Sequence, residues 1–387
     1  MTYLFTITYI NTLLEYVKCS LLLIISRAAD TRRGVSAIYA MSTTRKFQPS
    51  KKLAEIFQEV KVKDVSPPVK ELWKAGIDDT LKKVQDLMVQ HHIRSLPIFN
   101  AITGQFEHFI DFVDILHFIV EDVGVSRKES LENWYRSSKL VETTCCQLIS
   151  HLSHNSDRSQ MVFINQNDCI QTAINMLSMR RKCDRKSRAP LRLAVLDEGG
   201  QLVSVLTKRM LVKFICRLSE GYLHPLYEHS IDSLCLVSKD PKRSIVVFNL
   251  DNTVCEAFLT CYEKNIHSVG IVDENGEYIA CAEAEKMAFP SHTSRQNPSY
   301  YFNMPLKRYI TLSDLDSNSR AEPGFVTKHC TAHDLLMCFK DNTFNQVYVV
   351  ESLEKKVCIG VISLGDIINL FRSDSGPDGH SRIQNEE

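Results

Sequence analysis

Ser363 and Asp366 stand three residues apart, just ahead of the apolar Ile367 and Ile368. A hydroxyl and a carboxylate at that spacing bond back to the free N–H groups of a helix start, and most such capping boxes bind nothing else. His151 and His154, and His329 and His333, are spaced so that one helix could offer both rings to a metal. Neither pair has an evident third or fourth ligand, so ordinary surface or hydrogen-bonded histidines are expected, and no metal site. The stretch MRRKCDRKSR, Met179 to Arg188, carries six basic residues. It reads as a solvated loop, with a phosphate-cleft lining or a contact for an acidic partner as the alternative. Ser187 follows Arg185 and Lys186, the context of a basophilic phosphorylation site. No glycine-rich phosphate loop and no G-x-S-x-G elbow occurs. With 14 glycines in 387 residues, dinucleotide folds are disfavoured. No carboxylate pair is isolated in an apolar pattern of the kind acid–base catalysis uses, so the chain is expected to be non-catalytic.

Composition narrows the class further. Lys plus Arg and Asp plus Glu both number 46, a zero formal balance that argues against a dedicated nucleic-acid binder. The 44% hydrophobic and 24% charged fractions are those of a globular protein. The 13 cysteines are scattered without C-x-x-C spacing, which reads as reduced, mostly buried thiols in a cytoplasmic or nuclear protein. Residues 1–27 are apolar-rich, with Leu21 to Ile25 uninterrupted, but Asn11, Glu15 and Lys18 make a membrane span marginal. Met41 opens an ordinary polar segment, and one reading is that residues 1–40 stem from an alternative start.

The elements that must position any site come in four copies. Strand-like stretches read IRSLPIF from Ile93, LRLAVLD from Leu191, IHSVGIVD from Ile266 and FNQVYVVE from Phe344. Their aligned residues are Pro97, Ala194, Gly270 and Tyr348. Each stretch is followed by a turn, ending at Gly104, Gly200, Gly276 or Lys356, and then by a second strand. A helix start follows the aligned residue by 13 to 15 positions, at Asp111, Thr207, Glu283 and Ser363. Ahead of each copy lies one helical stripe: Leu81, Val84, Leu87 and Met88; Ile170, Ala173, Ile174 and Leu177; Val254, Ala257, Phe258 and Cys261; Leu335, Leu336 and Phe339. Thr80, Thr253 and Thr331 stand where a hydroxyl caps those helices. The repeat is strand–helix–strand–strand–helix, and such a unit must pair with others to bury a core. Asp314 to Gly324 reads as an exposed loop, and the tail from Ser373 as disordered.

This pattern resembles the CBS (cystathionine-β-synthase-type) motif, and four copies resemble the gamma regulatory subunit of AMP-activated protein kinase. VLTKRMLVKFI from Val205 and GVISLGDII from Gly360 carry the likeness best, and the third copy carries it least. The resemblance spans about residues 55–373. It implies an α/β (α+β) fold of four tandem CBS motifs, arranged as two pairs (Bateman modules) in a disc. The expected boundaries are an N-terminal extension over 1–54, motifs over 55–125, 140–219, 225–290 and 300–373, and a tail over 374–387. It also implies AMP, ADP or ATP as a regulatory ligand in the central cleft, with no other cofactor. The implied partners are a kinase alpha subunit and a scaffolding beta subunit, without nucleic acid or membrane.

An AMP-type ligand needs cationic donors for phosphate, a carboxylate for the ribose diol and an apolar slot for adenine. Carried over residue by residue, Asp114 matches the ribose aspartate of the first copy and Arg94 a phosphate contact. Asp111 replaces the capping hydroxyl there and sets a second negative charge beside the site. In the second copy Thr207 is the cap and Arg192 a phosphate contact, while Met210 stands where an aspartate would and Leu191 where a histidine would. The third copy has Glu283 and Lys286, which leaves no diol acceptor, and no binding is expected there. The fourth keeps Ser363 and Asp366 but has Asn345 and Gln346 in place of a His-Arg pair, with Arg94 or Arg192 as the cations available to reach across. Two readings stay open: a nucleotide-sensing regulatory subunit, or an assembly subunit that keeps the fold and no longer binds nucleotide.

Overall fold

Each of the four repeats folds as a three-strand sheet with the same wiring. The computed structural model describes residues 49–91, 93–115, 118, 139–155, 161–178, 190–218, 220–237, 245–264, 266–284, 303–316, 324–341 and 345–373. The apolar N-terminus, the basic stretch with Ser187, Lys286 and the tail from 374 lie outside them.

In chain order the elements are α1 (Lys51–Glu59), α2 (Val62–Val65), β1 (Ala75–Gly76), α3 (Leu81–Gln90), β2 (Ser95–Asn100) and β3 (Gln105–Asp111). Next come α4 (Lys139–Glu142), α5 (Cys145–Asn155), β4 (Phe163–Asn165), α6 (Ile170–Ser178), β5 (Arg192–Leu196), β6 (Leu202–Thr207) and α7 (Lys208–Ile215). The third repeat adds α8 (Glu220–Tyr227), β7 (Val247–Asn249), α9 (Val254–Glu263), β8 (Ser268–Val272) and β9 (Tyr278–Glu283). The fourth adds α10 (Leu306–Asp316), β10 (Phe325–Thr327), α11 (Ala332–Asp341), β11 (Gln346–Val350), β12 (Cys358–Ser363) and α12 (Leu364–Asn369). Helix α10 runs through Asp314, Leu315 and Asp316, so the segment expected to be a loop begins as helix.

In every sheet the first strand pairs parallel to the middle one, and the third pairs antiparallel to it. A parallel neighbour needs a crossover, which α3, α6, α9 and α11 supply. The ladder puts Pro97, Ala194, Gly270 and Tyr348 opposite Phe109, Val205, Cys281 and Val361, so these four positions are equivalent in space. A register shift recurs one residue further on, between Ile98 and Phe99, Val195 and Leu196, Ile271 and Val272, and Val349 and Val350. Gly104, Gly200 and Gly276 turn the hairpins with φ of 68°, 76° and 78°, a conformation that favours a residue without Cβ. Thr80, Thr253 and Thr331 accept from the N–H groups of Lys83, Glu256 and Asp334, as helix caps do.

Two kinds of packing join the repeats. The helical stripes of the first and third repeats share one core, through residues such as Leu81, Val84, Val254 and Phe258. Those of the second and fourth share another, through Ile170, Ile174, Leu335 and Phe339. The sheets meet in the other combination. Phe109 packs with Met161 and Ala194 between repeats one and two, and Tyr278 with Tyr348 and Val350 between repeats three and four. The result is two sheet-paired modules joined through helices.

Each repeat also borrows a leading helix from its module partner. Leu53 and Phe57 of α1 are buried against repeat two, and Ile170 N–H donates to the Val60 carbonyl at 2.9 Å. The segment leading into α5 serves repeat one, where Leu81 N–H donates to the Thr143 carbonyl. Residues after α8 serve repeat four, with Ala332 N–H on the His229 carbonyl, and those before α10 serve repeat three, with Val254 N–H on the Met304 carbonyl. Helix starts leave unsatisfied N–H groups. Here a neighbouring segment fills one at each crossover helix or its start, so no repeat is self-contained.

Candidate functional site

The sheet register brings the expected site residues to four equivalent places. Ser95 lies opposite Asp111, Arg192 opposite Thr207, Ser268 opposite Glu283, and Gln346 opposite Ser363. Each right-hand residue ends its strand where the last helix of the repeat begins.

In repeat one Asp111 does the work of the missing hydroxyl. Its Oδ1 accepts from the N–H groups of Val113 at 2.9 Å and Asp114 at 3.1 Å. Asp114 Oδ2 accepts in return from Asp111 N–H at 2.9 Å. Both side chains are buried. The second oxygen of Asp111 accepts from Arg192 Nη2 of repeat two at 2.7 Å, in an ion pair whose two side chains are each 11% exposed. The guanidinium carbon of Arg192 sits 5.6 Å from the centre of the Phe109 ring. Its Nη1 is buried without a hydrogen-bond partner among the described residues. Arg192, the expected phosphate contact, is therefore held by a protein carboxylate, while Arg94 stands exposed directly ahead of β2.

Thr207 caps α7 by accepting from Met210 N–H at 3.2 Å. The next two residues, Lys208 and Arg209, leave repeat two altogether. Arg209 Nη2 donates to Asn345 Oδ1 of repeat four at 2.7 Å. Lys208 Nζ comes within 3.5 Å of the point where a Cβ on Gly365 would lie, at the start of α12. Among the described residues, Lys208 and Arg209 are thus cations that reach the fourth repeat, whereas Arg192 is held at Asp111. Their signal in the sequence was a Lys-Arg pair directly after a capping threonine.

Ser363 and Asp366 form a complete capping box. Asp366 Oδ2 accepts from Ser363 N–H at 2.8 Å and from its hydroxyl at 2.7 Å, while Ser363 Oγ accepts from Asp366 N–H at 3.3 Å. The box leaves Asp366 Oδ1 without a hydrogen bond among the described residues, and the side chain is half-buried. Asn345 and Gln346 are both engaged. Gln346 Oε1 accepts from Ser268 Oγ at 2.5 Å, and Ser268 Oγ also lies 3.1 Å from the Tyr348 hydroxyl. Burial raises that phenol well above its ordinary range.

Large apolar side chains stay exposed on the outer strands of the sheets. Phe163 lies beside the buried Ala194, Val247 beside Gly270, and Val361 beside Tyr348, which puts them on the inter-sheet faces. They remain 43%, 43% and 39% exposed. Exposed apolar surface of this kind suits a flat apolar ring.

No family model matches the sequence, and no curated protein matches it. Solved structures do. MJ1225 of Methanocaldococcus jannaschii, described as a candidate archaeal homologue of γ-AMPK, superposes with a TM-score of 0.56 at 13% identity. The match covers 80% of this chain and 99% of that one. The fold is that of a protein with four CBS motifs. A conserved protein of Pyrococcus horikoshii aligns over 80% of this chain and 99% of its own, at 14% identity and a TM-score of 0.45. CBSX2 in complex with AMP aligns over 40% of this chain and 95% of its own, at 15% identity and a TM-score of 0.26.

Within this CBS arrangement, motifs one and two meet through the Asp111–Arg192 ion pair, and motifs three and four through the Ser268–Gln346–Tyr348 cluster. The start of α12 in motif four differs from both. A carboxylate oxygen and two cationic side chains from motif two converge there. No helix among the described residues is long and apolar enough to cross a membrane.

Proposed function

We propose that this protein is a non-catalytic regulatory subunit whose fourth CBS motif binds an adenine nucleotide. The observation that carries the reading is the meeting of Lys208 Nζ with the start of α12 beside the half-buried Asp366. Asp366 Oδ1 is the acceptor for a ribose diol, and Lys208 with Arg209 supplies the positive charge for phosphate. Val361, on the strand that leads into Ser363, offers apolar surface to the base. The resemblance of the four repeats to the gamma regulatory subunit of AMP-activated protein kinase makes a kinase alpha subunit and a scaffolding beta subunit the partners proposed. Ligand binding would then act through different affinities for the states of that kinase.

The test is calorimetric titration of the full chain with AMP, ADP and ATP. A charged hydrogen-bond partner contributes about 1.5–3 kcal/mol. Asp366→Ala should therefore weaken binding by roughly one to two powers of ten, and Lys208→Ala should do the same for AMP but little for adenosine. Co-purification with kinase alpha and beta subunits tests the assembly.

A second reading is an assembly subunit that binds no nucleotide. Two self-pairings favour it: Arg192 spent on Asp111, and Gln346 spent on Ser268. Absence of heat with all three nucleotides at high micromolar concentration would leave only this one.

A further inference from the structure

Arg192 uses half of its fork. Nη2 is bonded to Asp111 Oδ2, and Nη1 is buried with no hydrogen-bond partner among the described residues. A guanidinium presents donors spaced for two oxygens of one anion, and a protein that buries one usually satisfies both arms. The single carboxylate oxygen of Asp111 satisfies one.

Asp111 is fixed where it stands. Its other oxygen accepts from two backbone N–H groups, so the carboxylate cannot swing away without uncapping the helix start. The equivalent positions of motifs two and four carry the hydroxyls Thr207 and Ser363, which cap without adding charge. Asp114, also buried, adds a second carboxylate three residues on.

We propose that Asp111 is a built-in competitor: its carboxylate occupies an anion site at Arg192 and keeps phosphate out of the cleft between motifs one and two. An entering phosphate would meet a cation already neutralised by Asp111, with the oxygen it needs to displace held in place. A hydroxyl in the same place would leave the whole fork open to a phosphate, which has oxygens for both arms. Asp111 thereby confines anionic nucleotide to the other module. The proposal borrows from the functional reading only the choice of AMP as probe.

The experiment is calorimetry with AMP on the full chain, comparing wild type, Asp111→Ser, and Asp111→Ser combined with Arg192→Ala. Serine keeps the capping oxygen, and folding is checked by thermal melting. Asp111→Ser should bind one AMP per chain more than wild type, and the added site should vanish in the double variant. A folded Asp111→Ser with wild-type stoichiometry overturns the proposal, as does a gained site that survives loss of Arg192. If serine does not fold, Asp111→Asn, which keeps both backbone bonds, decides by the same criterion. Wild type binding none while Asp111→Ser binds one would sink the motif-four reading and leave this inference standing. One AMP bound by both would do the reverse.

Discussion

Gly270 lies against the ring of Tyr348 across the two sheets of motifs three and four: a Cβ on Gly270 would sit 3.0 Å from Tyr348 Cε1 and 3.2 Å from Val247 Cγ1. The tyrosine cannot retreat. Its ring stacks on Tyr278 at 4.9 Å, and its hydroxyl is within bonding distance of Ser268. Gly270→Ala should therefore cost about 1–3 kcal/mol, read as a lower urea midpoint with unchanged slope. Gly270→Val should cost more.

A second close approach ties the borrowed segment after α8 to motif four. A Cβ on Gly360 would fall 2.7 Å from Val237 Cγ1 and 3.4 Å from Val237 Cβ. Gly360→Ala is expected to destabilise by about 1–3 kcal/mol. Val237→Ala should return most of that loss, and a double-mutant cycle measures the coupling. Additive effects would mean the two residues do not touch in solution.

The Asp111–Arg192 pair is buried enough that removing one partner strands the other. Arg192→Met should lose about 3–5 kcal/mol, and adding Asp111→Ser should recover most of it. Chemical denaturation of the single and double variants checks both steps.

Asp79 makes part of the stability acid-sensitive. Burial pushes its carboxyl up, but the bond from Lys83, the Gly76 N–H and the Lys83 charge outweigh burial and hold it below its usual range. A lowered folded pKa gives stability that is complete above the unfolded value of about 3.9 and is lost as pH falls through the folded value. Asn252, at the equivalent turn of motif three, accepts from Asn249 N–H in the same way, so asparagine is tolerated there. The stability gap between wild type and Asp79→Asn should be widest near neutrality and close as pH falls through the lowered folded value. A gap independent of pH would show that the charge contributes nothing.

Cys145 and Cys146 are neighbours with opposite exposure. Burial, aided by the Asp79 charge, pushes the Cys145 thiol up to about 12, whereas Cys146 is exposed. Because the thiolate is the reactive form, iodoacetamide at pH 8 should label Cys146 first and Cys145 only on unfolding. Peptide mass spectrometry reads the order directly.

The sequence by itself determined the fourfold repeat. Its signals are local: a hydrophobic stripe of helical period, glycines where a hairpin needs positive φ, threonines at helix starts, and a near-constant distance from strand to helix. All of these depend on neighbours within about 15 residues, and the structure reproduces them at Gly104, Gly200 and Gly276 and at Thr80, Thr253 and Thr331. Ser363 and Asp366 were legible for the same reason.

Only the tertiary structure decided which charges face which. Arg192 meets Asp111 across 81 residues of chain, and Arg209 meets Asn345 across 136. Those meetings follow from how motifs one and two join through their sheets and motifs two and four through their helices. No periodicity encodes that, because a long cationic side chain has the reach to serve several partners and the packed neighbours select one. The same holds for the borrowed leading helices, whose stripes look alike in sequence and find their cores only once the modules are assembled.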